Sequence, residues 1–455
     1  MVAEESTGSS AIFRVPADFA TISAALNAAA PVQGTVLVEA GTYRENAPLK
    51  VASGVTLEGA GATSTILESD GTVLACADGA VKVANLSVRQ AAADGTEPCF
   101  GVEVRGKTLF ESCQISARCP AKNACGVLAR GAAAGPQLRA CVVHDCGQAG
   151  VLLATGARAA LLESEVRDCA GCGILLLANC VVDVQGGRLC SCAEGALTIA
   201  GRAAASLSTC EIGSNGGAAG MASVSVKGGG RLVMRECTVR GATGMGVQLA
   251  DGAEANLTSC KLLKCGKAGL AAKAAGRLQV SGCEIAHGAA VGLMLLGAPT
   301  PGQPGATAPP QLFKDNRIHS NAKAGVQISG AGCNPTLDTN RILDGKGAGV
   351  HIFGGARPMI VDNLIKGSAG PAIKVDEAAP RIERNSCCNG SDVRALRHRL
   401  AVSHAPPPMQ RAAPAVGIAR AVSVPSPQLA RVSCSSVCAN AWMAAGGHCH
   451  FGPRA

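Results

Sequence analysis

The stretch QLRACVVHDCGQAGVLLATG, residues 137–156, decides the fold, because its pattern recurs along most of the chain. If Cys141 is taken as a marker, equivalent positions follow at steps of 22 to 27 residues, with one longer step of 33. The series runs through Ser164, Gly187, Cys210, Cys237, Cys260, Cys283, Asn316, Asn340, Asn363 and Asn385, and Cys113, Leu86 and Leu57 extend it backwards. A fixed period of this length indicates a repeat architecture of about fourteen coils.

Each period contains three short apolar segments. The position three residues before the marker is apolar, as is the position two residues after it, and nine residues after it a glycine opens a third apolar run such as Gly150-Val-Leu-Leu. Short strands with alternating side chains, separated by corners where glycine supplies φ > 0, are typical of a β-helix. The sequence therefore predicts an all-β fold, a right-handed parallel β-helix solenoid with three short strands per coil.

The composition agrees with a solenoid. The chain has 455 residues, of which 58 are Gly, and only 2% are aromatic. It is longer than the ~100–200 residues of an ordinary domain, and its many small residues suit a narrow interior. The net charge is +9, but residues 391–455 contain seven arginines and only one acid, so the body is close to neutral. With so few aromatic residues to stack on bases, we expect no nucleic-acid partner.

The ends of the repeat set the expected boundaries. We predict a flexible N-terminus (1–12), a capping segment (13–33), the β-helix (34–390) with a Pro-rich loop insertion (298–310), a candidate capping helix (391–402) and a disordered tail (403–455). Within the capping segment, Asp18 to Ala30 predicts a helix with Asp18 as its N-cap that closes the first coil.

No secretory signal and no apolar run of ~18 residues is visible, so we expect no membrane partner and a cytoplasmic or nuclear location. In that setting the 23 cysteines are expected to be thiols.

The marker column changes from Cys in the middle coils to Asn in the last four. A second column, five residues after the marker, also contains mainly Cys and Asn. Equal residues in a solenoid stack into ladders, in which buried Asn side chains hydrogen-bond and buried Cys side chains fill space. We interpret these columns as structural. The tail segment from Cys434 to His450 has residue types found in zinc sites, but its spacing is irregular, and we predict no metal or cofactor site.

Two stretches resemble known families. VPADFATISAALNAA and GTVLVEAGTYRENAPLKVASGVTLEGAG, residues 15–29 and 34–61, resemble the beginning of pectin-lyase-like β-helix proteins, including pectin methylesterases. The stretch NRIHSNAKAGVQISGAGCNPTLDTNRILDGKGAGVHIFGGARPMIVDNLIKG, residues 316–367, is similar to the β-helix repeats of F-box-only proteins. The second resemblance implies substrate recognition for a ubiquitin ligase, although no F-box-like segment precedes these repeats.

Candidate catalytic residues are not evident in the sequence. Glu163, Glu165 and Asp168 form the densest acidic group, but the column after the marker alternates in charge and predicts a cross-strand salt-bridge ladder through Glu165, Arg188 and Glu211. The histidines His144, His287, His319 and His351 are interpreted as surface or corner residues in different coil positions. One Tyr and one Trp offer little aromatic surface for stacking on sugars.

The outward column of the third strand suggests a partner site. Leu128, Leu152 and Leu175 are successive in that column and predict an exposed apolar stripe, rimmed by Arg130 and Arg158. The alternative is that the chain itself covers the stripe.

We therefore interpret the chain as a non-enzymatic protein-interaction module, with a link to ubiquitin ligases implied by the resemblance. A carbohydrate-active enzyme (a lyase, esterase or epimerase) with a polysaccharide partner is the alternative, and a purely structural solenoid is a third. An Asp/Arg/His cluster on one face of adjacent coils would favour the enzyme.

Overall fold

Three parallel β-sheets run along the chain. The computed structural model describes residues 11–45, 48–91, 98–118, 124–217, 220–297 and 310–388. In these ranges about fifteen coils each contribute one strand in turn to three sheets, here called A, B and C. Every strand except the first and last of each sheet pairs with the strand one coil before and one coil after it. The fold is the predicted right-handed parallel β-helix. The predicted loop at 298–310 falls almost wholly outside the described residues, and the helix at 391–402 and the tail fall entirely outside them.

The strands are short and regular. Sheet A consists of Ile12–Val15, Thr35–Val38, Thr56–Gly59, Ala80–Ala84, Lys107–Glu111, Gly135–Arg139, Arg158–Leu162, Val181–Gln185, Ala204–Ser208, Arg231–Arg235, Glu254–Thr258, Leu278–Ser281, Gln311–Lys314, Thr336–Asp338, Met359–Val361 and Arg381–Glu383. Sheet B consists of Gly41–Arg44, Thr65–Ser69, Ser87–Gln90, Gln114–Ala117, Val142–His144, Glu165–Arg167, Arg188–Cys190, Glu211–Gly213, Thr238–Arg240, Lys261–Leu263, Glu284–Ala286, Arg317–His319, Arg341–Leu343, Leu364–Lys366 and Ser386–Cys387. Sheet C consists of Leu49–Val51, Leu74–Cys76, Cys99–Val104, Ala124–Arg130, Ala149–Ala154, Cys172–Leu176, Leu197–Ile199, Val224–Val226, Val247–Ala250, Leu270–Lys273, Leu293–Leu296, Val326–Ser329, Val350–Phe353 and Ile373–Asp376.

The register is the one that the repeat predicts. Leu138 pairs with Leu161 in sheet A, and Val143 pairs with Val166 in sheet B. These side chains are fully buried and fill the interior layer by layer. The prediction was wrong at one early position: Leu57 pairs with Val83, three residues before marker Leu86, so it belongs to the preceding apolar column.

The corners depend less on glycine than the sequence suggested. The residue before the marker has a left-handed backbone in coil after coil, yet it is often not glycine, as at Ala140 (φ 50°), Glu163 (φ 48°) and Thr209 (φ 54°). A left-handed residue with a side chain costs about 1–2 kcal/mol. Each of these residues still donates its backbone N–H to the next coil, at 2.9–3.0 Å. The hydrogen-bond ladder therefore continues through the corner and offsets this cost.

The glycine that opens the sheet C segment has a different role from the one predicted. A Cβ on Gly150 would lie 2.6 Å from Val166 Cγ1 and 2.8 Å from the carbonyl oxygen of Gly173. The absence of a side chain, rather than a positive φ, is what this position requires.

The asparagine column forms a buried hydrogen-bonded ladder. Asn340 Nδ2 donates to Asn363 Oδ1 at 2.9 Å and to the carbonyl oxygen of Phe313 at 2.9 Å. Its own Oδ1 accepts from the backbone N and from the side-chain Nδ2 of Asn316, at 3.0 and 2.9 Å. Because Asn340 is 1% exposed, these bonds replace water at both ends of the amide. The structural interpretation of this column is confirmed.

The cysteine column occupies the same interior position in the preceding coils. Cys210, Cys237 and Cys260 are at most 1% exposed, and Cys260 donates its Sγ–H to the carbonyl oxygen of Thr258, 3.3 Å away. Neighbouring thiols and burial together raise the pKa of Cys260. Burial raises the pKa of Cys76 to about 12. Cys260 and Cys76 are therefore neutral thiols, and the side chains of the column fill the interior.

A helix closes the N-terminal end, although it is shorter than predicted. It covers Ile22–Ala29 and is followed by a 3₁₀ turn at Ala30–Val32. The N-cap is Thr21, whose hydroxyl accepts from the Ala24 N–H at 3.2 Å, whereas Asp18 accepts from the Arg14 N–H at 2.8 Å in the preceding turn. The buried side chains of Ile22 and Leu26 join the interior core. Within the described residues, no helix is long and apolar enough to cross a membrane.

Replacing Asn340 with Leu tests the ladder. The change removes the interior acceptor of the Asn316 backbone and side-chain N–H groups and the side-chain donor to Asn363, so we expect the free energy of unfolding to fall by about 1–3 kcal/mol in chemical denaturation. Asn256→Leu is the matched control, because Asn256 lies on the outer face of sheet A and is only half-buried. Equal stability of the two variants would contradict a buried ladder.

Alkylation of the native protein tests the thiol column. We expect iodoacetamide to modify the exposed Cys388 and to leave Cys210, Cys237 and Cys260 unmodified until the protein is unfolded, because burial disfavours the reactive thiolate. Peptide mass mapping before and after unfolding measures this difference. Rapid native modification of Cys237 would show that the interior is open to solvent.

Candidate functional site

The outer face of sheet B carries a one-sided positive charge in the C-terminal half of the solenoid. Its strands and the segments that follow them (238–246, 261–269, 284–292, 317–325, 341–349 and 364–372) contain nine exposed basic side chains and two acids, Glu284 and Asp344. We call these nine residues the basic face: Arg240, Lys261, Lys264, Lys267, Arg317, Lys323, Arg341, Lys346 and Lys366. The near-neutral net charge of the body thus conceals a local separation of charge.

A histidine and a glutamate lie within this face on adjacent coils. His319 Nε2 is 3.0 Å from Glu284 Oε1, and His319 Nδ1 is 3.1 Å from Ser320 Oγ. The hydrogen bond with His319 is the main cause that lowers the pKa of Glu284, and the positive charges of Lys261 and Arg317 act in the same direction. Glu284 is therefore an ionised hydrogen-bond acceptor.

His319 is shielded from solvent by its neighbours. The residue is 8% exposed, and the ring of His287 meets its ring edge-on with the centroids 5.1 Å apart. His287 also lines a shallow open depression on the surface of the same coils. The other lining residues are Ala242, Lys264, Cys265, Gly266 and Ala289. The histidine–glutamate pair therefore adjoins a concave, positively charged surface.

A second group of charged side chains lies on sheet B nearer the N-terminus. Asp145 forms an ion pair with Arg118 and lies 2.9 Å from His144 Nδ1. The hydrogen bond from Arg118 is the main cause that lowers the pKa of Asp145. In the next coil, Arg167 contacts Asp168 at 2.5 Å and Glu165 at 3.8 Å. An Asp/Arg/His cluster on one face of adjacent coils is thus present.

Two expectations about the acids need correction. Glu163 does not join Glu165 and Asp168, because its carboxylate lies against Gly186 at the corner that precedes sheet B. The predicted ladder is partial: Arg188 contacts Glu211 at 3.7 Å, whereas Glu165 contacts Arg167. No group of three or more His, Cys, Asp or Glu side chains in the described ranges is arranged to hold a metal ion.

The histidines are less scattered than the sequence suggested. His144 and His319 occupy the same position, three residues after the marker, and each contacts the next residue along the chain. His287 contacts His319, while His351 lies on sheet C and contacts Asp376 at 2.9 Å. The signal that could have identified the site was the repeated His-polar dipeptide at that position, but the partner Glu284 becomes visible only when the coils are stacked.

The predicted leucine stripe exists but is not exposed. Leu128, Leu152 and Leu175 pair in register on the outer face of sheet C, apart from the interior core, yet they are only 0%, 7% and 9% exposed. They form a cluster with Cys125, Ala149 and Cys172, and Phe100 and Leu177 pack against it.

The predicted rim is also different. The guanidinium of Arg130 lies 6.0 Å from the centroid of the Phe100 ring, and Arg158 belongs to sheet A. The predicted exposed stripe was therefore wrong, because chain packing covers these leucines.

The comparisons with known proteins agree with the fold. Residues 73–225, 222–302 and 304–396 match the family described as right-handed β-helix region, which is more than half of the chain. The chain therefore belongs to the right-handed β-helix family. No curated protein sequence matches it significantly.

Several solved structures match the chain over most of its length. The A-module of mannuronan C-5 epimerase AlgE6 from Azotobacter vinelandii is 13% identical with a TM-score of 0.39, and the match covers 83% of this chain and 100% of that one. The periplasmic alginate epimerase AlgG is 11% identical with a TM-score of 0.42, covering 79% and 78%. A GH87 α-1,3-glucanase from Streptomyces thermodiastaticus is 13% identical with a TM-score of 0.37, covering 81% and 65%. At such low identities and TM-scores, these matches carry no argument about this chain.

Substitution of Leu128 tests whether the outer cluster is covered in solution. We expect Leu128→Ala to lower the free energy of unfolding by about 2–4 kcal/mol, because a fully buried side chain is removed. Met294→Ala is the control, since Met294 lies in the same outward column but is half-buried, and it should cost less. Denaturation curves of the two variants give the comparison, and an unchanged Leu128→Ala protein would mean that the cluster is open.

Proposed function

We propose that the chain is a carbohydrate-active member of its family and that sheet B binds an anionic polysaccharide. The observation that carries this proposal is the basic face, with nine exposed basic side chains against two acids along successive coils. Coils of a parallel solenoid repeat every ~4.8 Å, so the face presents positive charge at regular intervals along a line. A linear polymer with a carboxylate or sulfate on each sugar is the kind of ligand that such a line complements.

The scarcity of aromatic residues favours a charged sugar polymer over a neutral one. Neutral glycans are bound largely by stacking on aromatic side chains, and the described part of sheet B contains a single aromatic residue, Tyr43, in the first coil. Charge and hydrogen bonding are therefore the means of recognition that this face offers. The second charged group, around Asp145 and Arg167, extends the same surface toward the N-terminus.

The leucine cluster does not support a protein partner. The leucine hypothesis requires Leu128, Leu152 and Leu175 to be accessible, whereas packing covers them. Docking there would require that cover to open first. A role in substrate recognition for a ubiquitin ligase has only the sequence resemblance behind it.

Binding assays with a charge-reversal variant test the polysaccharide proposal. Polygalacturonate and alginate are the probes, dextran is the neutral control, and duplex DNA is the competing polyanion. We expect binding of the two polyuronates at low salt, loss of binding at high salt, and at least about tenfold weaker binding by the triple variant Lys261→Glu, Arg317→Glu, Arg341→Glu.

The matched control is Lys50→Glu, Lys107→Glu, Lys273→Glu, which reverses three exposed charges on sheets A and C. This variant should bind like the unmodified protein. Equal affinity of the two triple variants would contradict sheet B as the site, and preferential binding of dextran or DNA would contradict the ligand class.

A further inference from the structure

Ser320, His319 and Glu284 form a continuous chain of hydrogen bonds on the basic face. The serine hydroxyl contacts one ring nitrogen of His319 at 3.1 Å, and Glu284 contacts the other at 3.0 Å. Among the described histidines, this combination is found only at His319. His351 has a carboxylate partner, Asp376, and the residue after His144 is itself a carboxylate, Asp145.

The charge of Glu284 determines where the protons lie. An ionised carboxylate can only accept hydrogen bonds, so His319 Nε2 carries the proton that points to Glu284 Oε1. In the neutral ring His319 Nδ1 is then an acceptor, and the Ser320 hydroxyl donates to it. In an activated nucleophile, a hydroxyl hydrogen-bonds to a base and a third group orients that base. Ser320, His319 and Glu284 have this arrangement.

We propose that Ser320 is the nucleophile of an ester-hydrolase site, with His319 as general base and Glu284 as the residue that positions His319. The proposal rests on the proposed function, and the substrate class that it names is an O-acylated anionic polysaccharide. Glycoside cleavage uses two carboxylates that flank the bond, whereas here the carboxylate is held by the histidine. Acyl transfer needs the nucleophile, base and orienting group that are present.

The reaction proceeds in two balanced steps. Ser320 Oγ attacks the acyl carbonyl carbon while its proton passes to His319 Nδ1, and the sugar oxygen leaves with that proton as the bond between acyl carbon and sugar oxygen breaks. Water then attacks the acyl-serine, gives a proton to His319 Nδ1, and the carboxylic acid leaves as that proton returns to Ser320 Oγ. The net reaction is an ester and water to an alcohol and an acid.

The surroundings suit a substrate that is negatively charged. Lys261 and Arg317 are the register neighbours of Glu284, and Lys264 and His287 line the adjoining depression. Cationic side chains at this place favour both an anionic sugar and the negative oxygen of a tetrahedral intermediate. Ser320, directly before the buried Asn321, is only half-buried, so part of this residue is open to a ligand lying on the face.

The test uses the full chain with p-nitrophenyl acetate, acetylated polygalacturonate and a fluorophosphonate label. We expect hydrolysis of both esters and a label that mass mapping places on Ser320. Ser320→Ala should lower kcat/KM at least about a hundredfold and abolish labelling, whereas Ser329→Ala, a half-buried serine on sheet C, should change neither. Glu284→Gln should slow both turnover and labelling at least about tenfold, with partial recovery in Glu284→Asp.

Other outcomes would overturn the proposal. Ser320 is excluded as nucleophile by any one of three results. The unsubstituted protein releases no acetate, the label is found on a different residue, or Ser320→Ala keeps full activity. If acetate release is absent while polygalacturonate still binds, only the ester-hydrolase proposal fails. If p-nitrophenyl acetate is hydrolysed but no polyuronate binds, the polysaccharide proposal fails and the hydrolase site stands.

Discussion

The parallel pairing of each coil with the next is the constraint on which this structure depends. Because equivalent residues lie directly above one another, one choice at one position of the repeat becomes a continuous line of contacts along the molecule. Asn316, Asn340 and Asn363 can share their amides only because the register brings them to hydrogen-bond distance. The same register allows non-glycine residues to adopt left-handed corners, since their backbone bonds to the next coil are kept.

This constraint also explains how a chain of modest net charge acquires a strongly charged face. In the C-terminal half, the middle residue of each three-residue sheet B strand is buried, so Lys or Arg at the first or third position, as at Lys261, Arg317 and Arg341, collects on one side. Acids are more frequent elsewhere, as at Asp315 and Asp362 in the corner before sheet B. The result is a surface whose charge cannot be inferred from the composition of the body, but follows from the position of each residue within its coil.

The histidine site shows how such a scaffold can assemble chemistry from few residues. His319 and Ser320 are neighbours in sequence, and Glu284 comes from the previous coil, in register with Arg317 rather than with the histidine itself. Rigid strands hold two of the three side chains, which is the condition for a site with fixed geometry. Ser320, the proposed nucleophile, follows at a left-handed corner whose backbone N–H bonds to Leu343 of the next coil at 3.1 Å.

The sequence by itself determined the fold, most of the register and the structural use of its asparagines and cysteines, because the repeat is local and each column has one dominant residue type. It also identified the outward leucine column correctly, but not its burial, since what covers Leu128 depends on how segments pack after the coils have formed. The basic face and the His319–Glu284 contact were likewise decided by tertiary structure. The face and the contact both bring together residues from successive coils. The distance between such residues in space follows only from the stacking of one coil on the next.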